Sequence, residues 1–136
     1  MHRALARRRT EREHAIDMAS AYLSRLAGLL DDELVAGVLH GSYARGDFHW
    51  GSDIDVLVIA EGLPAHPLRR LDLLYACVEG RIEPKGYSKE EFIGLMHARN
   101  PIAIDALKNG VVLLDKGFWA QLQEKFEIMK REGDRS

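Results

Sequence analysis

Apolar residues recur at three- and four-residue spacing through Ala15, Met18, Ala19, Tyr22, Leu23, Leu26, Leu29 and Leu30. That spacing predicts one amphipathic helix, ended by Asp31 and Asp32. Leu34–His40 is then a near-continuous apolar run closed by Gly41, as expected of a buried strand. Asp53–Ile59 turns β-branched and apolar after its polar start, between Ser52 and Glu61-Gly62-Leu63-Pro64, and reads as a second strand. Leu68–Val78 returns to helical spacing, with Gly80 as a stop signal. Arg81–Tyr87 is a third strand, at an edge or bulged because of Pro84 and Gly86. Ser88 and Glu91 form a capping box, which predicts a helix over Lys89–Ala98. Pro101–Lys108 follows as a short helix stopped by Asn109-Gly110, and Val111–Leu114 as a short strand. Phe118–Lys130 closes the pattern as an amphipathic helix with Trp119, Leu122, Phe126 and Met129 inward. Strands alternating with helices predict a layered α/β (α+β) domain, its helices packed against a sheet.

Charge and composition narrow the picture. Nineteen Lys and Arg against 21 Asp and Glu give a net charge of −2, no general pull toward nucleic acid or acidic membranes. The one cysteine, Cys77, excludes an internal disulfide framework and a cysteine zinc cage, and is expected to be a small buried hydrophobe. Unbroken apolar stretches reach about five residues, as in Val56–Ala60, where a membrane span needs about 20. No signal-peptide core follows the start, so a cytoplasmic protein without a membrane partner is expected. Residues 1–14 form an Arg-rich N-terminal helix extension, 15–130 the domain and 131–136 a tail. The arginines Arg3, Arg7, Arg8, Arg9 and Arg12 are either a nucleic-acid arm or a solvated, partly frayed helix start. The second is favoured because no aromatic residue sits among them to stack on bases.

The chemistry concentrates in Gly41-Ser42-Tyr43-Ala44-Arg45-Gly46-Asp47-Phe48-His49-Trp50-Gly51-Ser52-Asp53-Ile54-Asp55-Val56-Leu57-Val58. Asp53 and Asp55, two apart on a strand, leave one face with Cα atoms about 6.7 Å apart. Carboxylates converging to about 5 Å repel by roughly 3 kcal/mol at an effective dielectric near 20. Exposure, a shared proton or a bound cation relieves this. Oxygen-only ligands favour Mg²⁺ first and Mn²⁺ second. Gly41 lets backbone approach a ligand closely, and Ser42 adds a hydroxyl to the N–H groups of a turn, a combination suited to phosphate. No Gly-Lys-Ser/Thr follows, so this is not a Walker A loop. A phosphate cradle beside paired carboxylates points to metal-bridged chemistry on a polyphosphate.

Gly-Ser, ten residues and Asp-x-Asp, with Ala44-Arg45-Gly46 and Ser52 between, resembles the signature of the DNA polymerase β-like nucleotidyltransferase superfamily, in its minimal nucleotidyltransferase (MNT) branch. The motif covers residues 41–58, and element order extends the resemblance over about 15–130. The strings 87–92 and 105–110 also look like this branch, less specifically. The resemblance implies a small mixed β-sheet packed against helices, and a third carboxylate from a neighbouring strand. Glu83 is the candidate, with Glu79 as fallback. It further implies catalytic and metal-binding roles for Asp53, Asp55 and Glu83, and nucleotide contacts from Gly41, Ser42 and Arg45. Arg45 either contacts a phosphate or braces the Asp pair. Asp47 is expected in a turn, His40 and His49 solvated or hydrogen-bonded, and Tyr43, Phe48 and Trp50 in core or rim packing.

The implied reaction transfers a nucleoside monophosphate, AMP from ATP foremost among NTPs, to an acceptor hydroxyl with release of pyrophosphate. Small members of this branch act beside HEPN-type toxins, which they silence by adding AMP to a tyrosine, so a HEPN-domain partner is the implied acceptor. Two further readings stand beside this one. One is a non-catalytic antitoxin that neutralises such a partner by contact. The other is a nucleotide or RNA sensor using residues 2–13.

Overall fold

The strand that precedes the motif is buried along its whole length, which makes it the centre of the sheet. The computed structural model describes residues 2–134; Met1 and the last two residues of the expected tail lie outside the described residues. Helix α1 (His2–Leu30) leads through a 3-10 turn (Asp31–Glu33) into β1 (Leu34–His40). A single-turn helix α2 (Ser42–Arg45) follows, then β2 (Ile54–Ala60), α3 (Pro67–Tyr75) and β3 (Ile82–Tyr87). The chain continues through α4 (Lys89–His97), α5 (Pro101–Asn109), β4 (Val111–Asp115) and α6 (Phe118–Asp134).

The four strands form one mixed sheet in the order β3-β2-β1-β4. β1 pairs antiparallel with β2 and β4, whereas β2 and β3 run parallel. A parallel pair needs a crossover, and α3 supplies it. β3 is the edge strand expected from Pro84, but it is not bulged: its register with β2 is continuous from Ile54↔Ile82 to Ile59↔Tyr87. Irregularities fall instead on β1, between Leu34 and Ala36 and between Gly37 and Val38.

Side-chain alternation splits the core into two layers. Val56 and Val58 of β2 pack with Tyr22 and Leu26 of α1 and Leu74 of α3. Leu57 and Ile59 pack on the other face with Phe92, Ala103, Trp119 and Phe126 of α4, α5 and α6. The Ser88 capping box is present: Glu91 N–H donates to Ser88 Oγ at 3.1 Å and Ser88 N–H to Glu91 Oε1 at 2.7 Å. Asn100 caps α5 by accepting from Ile102 and Ala103 N–H, with Pro101 at the first helical position. Cys77 is partly buried against the α1-side core. Among the described residues no helix is long and apolar enough to cross a membrane.

α1 runs unbroken across residue 14; Arg3, Arg7 and Arg9 are exposed as expected, but Arg8 and Arg12 are not simply solvated. Arg8 Nη2 donates to Gly46 O at 2.6 Å and Phe48 O at 3.2 Å, and Arg12 Nε to Tyr43 O at 3.0 Å. These guanidiniums satisfy carbonyls of the loop between β1 and β2, so the Arg-rich helix start clamps the motif.

Candidate active site

Gly41 ends β1 with φ +73, a conformation that suits glycine. A Cβ there would also collide with Asp55 Oδ2, so the Asp55 carboxylate rests against the glycine backbone. The chain turns into α2 and leaves it through Gly46, left-handed at φ +91. Tyr43 and Phe48 are buried and stacked, their ring centroids 4.4 Å apart. Tyr43 Oη donates to Glu11 Oε1 at 2.9 Å, which also accepts from Arg81 at 3.2 Å. Trp50 stays on the rim, 68% exposed, and His49 is exposed as expected. Ser52 closes the return: its Oγ accepts from His49 N–H at 2.8 Å.

Where this loop meets β2, Asp53 is exposed one residue before the strand and Asp55 lies partly buried within it. Asp55 stands opposite Glu83 on β3 and His40 on β1. Glu79 lies elsewhere, in the exposed turn before β3, paired with Arg25 at 3.2 Å. The register therefore brings Glu83, and not Glu79, beside the motif.

A pocket of about 470 Å³ opens at these strand ends, lined by Gly41, Ser42, Arg45 and Asp55. His40, Lys85 and Asp105 also line it, with Pro101 and Ile102 of α5. Burial, then the neighbouring Glu83, pushes the Asp55 pKa up to about 6; Asp53 adds to this, while Lys85 and Arg45 oppose it.

Three wall residues add to the sequence reading. Of the two roles expected of Arg45, bracing the Asp pair has no hydrogen bond among the described residues. Arg45 donates through Nη1 to Asp105 Oδ2 at 2.8 Å and through Nε to Asp47 Oδ2 at 3.2 Å, because the single turn of α2 ends facing α5. Asp105 had no assigned role, yet it accepts from Arg45, from Gly41 N–H at 3.3 Å and from Asn109 Nδ2 at 3.0 Å. The 105–110 string was its only signal. His40 is neither solvated nor fully hydrogen-bonded. It is 5% exposed and its Nε2 has no partner among the described residues. It ends the central strand, so even its last side chain is covered. Burial, then Lys85, pulls its pKa down to about 4, and the imidazole is neutral.

The donor set suits a hard cation held in part by substrate. Asp53 and Asp55 offer oxygen ligands, and the raised Asp55 pKa reflects burial first and the neighbouring carboxylates Glu83 and Asp53 second, offset in part by Lys85 and Arg45. Among the described residues no three His, Cys, Asp or Glu side chains converge on one metal position. Glu83 is instead 3.5 Å from Lys85 Nζ. Mg²⁺ is ordinarily bound by one or two carboxylates plus substrate phosphates, and the Asp pair fits that arrangement.

Comparison with known proteins agrees with this geometry. The family model described as "Polymerase beta, Nucleotidyltransferase" matches residues 27–117. A Methanocaldococcus jannaschii protein named "Putative protein adenylyltransferase MJ1305" is 29% identical over 117 residues, covering 81% of this chain and 80% of that protein. The crystal structure of a "putative nucleotidyltransferase from Sulfolobus solfataricus" superposes with a TM-score of 0.63 at 18% identity, covering 80% of this chain and 87% of that one. A complex of tri-AMPylated Shewanella oneidensis HEPN toxin with MNT antitoxin gives 0.51 at 17% identity, covering 86% of this chain and 87% of the matched chain. The two structures share the mixed-sheet fold.

Proposed function

The chain belongs to the polymerase beta nucleotidyltransferase family, and on that premise we propose that it transfers AMP from ATP to a hydroxyl of an acceptor protein, releasing pyrophosphate. The observation that carries this reading is the contact of Asp55 with Gly41, which puts a carboxylate against a phosphate-sized turn in one pocket. The Ser42 hydroxyl and the start of α2 hold the β- and γ-phosphates. Arg45, oriented by Asp105, faces the triphosphate from one wall, and Lys85 adds positive charge on another. Asp53 and Asp55 would hold Mg²⁺, which would supply charge neutralisation for the triphosphate and a lowered pKa for the acceptor hydroxyl. Asp55, with its pKa near 6, is ionised and ready for a cation at neutral pH. Glu83 supports the acceptor side of the same site.

The acceptor we favour is a HEPN-type toxin. The name of the M. jannaschii relative and the S. oneidensis complex both support a protein acceptor. A cytoplasmic location accompanies this reading, since ATP is the donor and Cys77 is a free thiol. One observation favours the contact-only antitoxin: Lys85 sits beside Glu83, where a second cation would otherwise act. Capturing the native partner and weighing it intact, before and after incubation with ATP and Mg²⁺, separates the two. A gain of one or more AMP groups supports transfer; a stable complex of unchanged mass refutes it.

A further inference from the structure

Arg99 has φ +55, the left-handed conformation that glycine adopts after a helix C-terminus. It follows the Ala98 cap of α4, where Arg99 N–H donates to Met96 O at 3.1 Å and Asn100 N–H to Leu95 O at 3.0 Å. This backbone favours glycine, and an arginine there is strained. Its side chain lines a groove of about 460 Å³ between α5 and α6.

The groove gathers Arg99, Lys108 and Lys130 over Ile104 and Phe126. Its carboxylate, Asp105, is already engaged by Arg45 at 2.8 Å. Lys130 has Glu127 at 3.4 Å and lies 5.4 Å from the Phe126 ring centroid. Among the described residues no ion pair engages Arg99 or Lys108. The whole chain carries −2, so this cluster of cations runs against the overall balance. Asp105 also lines the nucleotide pocket, which makes groove and pocket contiguous.

We propose that the groove binds an acidic segment of the acceptor protein and leads it to the nucleotide pocket. This rests on the reading of the chain as a protein adenylyltransferase. Three cations with little internal compensation suit carboxylates, and the partly exposed Ile104 in the floor suits an apolar side chain between them. RNA fits less well, since Phe126 is only 3% exposed and offers no face for stacking.

The test titrates a fluorescein-labelled peptide of alternating glutamate and tyrosine against the full chain, with a single-stranded uridine oligonucleotide as competitor. Wild type should bind the peptide, more weakly as salt rises. Arg99→Gly should lower affinity by about 5-fold or more while melting no lower than wild type, because glycine relieves the strained φ. Lys108→Glu with Lys130→Glu should abolish binding and leave ATP affinity unchanged. No peptide binding by wild type, unchanged affinity in both variants, or tighter binding of the oligonucleotide overturns the proposal. Peptide binding needs no AMP transfer. A chain that binds the peptide normally but labels no acceptor from ATP therefore keeps the groove and loses the enzymatic reading.

Discussion

Asp55 on β2 and Glu83 on β3 stand opposite one another in the parallel register, and Glu83 is the largest charged contribution to the raised Asp55 pKa. Neutralising Glu83 should therefore bring Asp55 back toward the ordinary carboxylate range. Glu83→Gln should keep Mg²⁺-ATP affinity within a few-fold of wild type by calorimetry. On the proposed role of Glu83 in acceptor activation, AMP transfer should fall by at least about tenfold. Glu79→Gln, which loses only an exposed pair with Arg25, should change neither. The opposite pattern would remove Glu83 from the site.

Gly41→Ala meets two obstacles, the left-handed φ and the Asp55 carboxylate. The backbone term alone, at φ +73 and ψ −153, costs about 1–3 kcal/mol for any residue but glycine, and the collision adds to it. Urea unfolding should show a loss of at least that size, together with loss of ATP binding. In an Asp55→Gly background the same substitution should cost less, since the two residues are in contact. Equal costs in both backgrounds would mean that the contact contributes nothing.

Two shifted groups act in opposite directions on stability without metal. Asp55, raised from 3.8 to about 6, holds a proton in the fold that the unfolded chain has lost. Its contribution is present below pH 3.8 and is lost as pH rises through 6. His40, lowered from 6.5 to about 4, stays neutral where the unfolded chain takes up a proton. Its contribution is present above pH 6.5 and is lost as pH falls through 4. In EDTA, Asp55→Asn should gain Tm relative to wild type as pH rises from 4 to 6. His40→Gln should lose Tm relative to wild type as pH rises from 4 to 6.5. Differences that do not move with pH would contradict both assignments.

Arg8 and Arg12 hold the motif loop through three bonds to backbone carbonyls. The double variant Arg8→Ala, Arg12→Ala should lose about 2 kcal/mol. Hydrogen exchange should rise selectively in amides of residues 43–50, and ATP affinity should fall. Unchanged exchange in that loop would show that the clamp is not holding it.

Much of this was legible in the chain. Leu34–His40 reads correctly because seven mostly apolar residues before a glycine have few alternatives to a central strand. The family resemblance, together with a strand next in sequence after a helix, points to Glu83, and the register does place it opposite Asp55. Of the edge or bulged strand that Pro84 and Gly86 lead one to expect, the edge is found: an edge strand has N–H groups the ladder does not use, so the register survives without a bulge. The departures from expectation have physical causes. Helix α3 stops at Tyr75 although Val78 continues the apolar spacing, since Val78 packs on the core from outside the helix. Arg45 and Asp105 are sixty residues apart, and no periodicity predicts such a pair. The same holds for Arg8 with Phe48, and for His40, whose burial depends on what covers the end of β1.

The strand order β3-β2-β1-β4 has a consequence for how the protein is made. Once residue 87 has been synthesised, three strands and the carboxylates of Asp53, Asp55 and Glu83 exist. Asp105, and the β4 strand that covers the other side of β1, come only with residues 101–115. At about 5–20 residues per second this interval lasts a few seconds. During it β1, the strand buried along its whole length in the finished fold, has a bare edge, a template for pairing with other nascent chains. Translation that stalls before β4 should therefore produce aggregates in place of a partial enzyme.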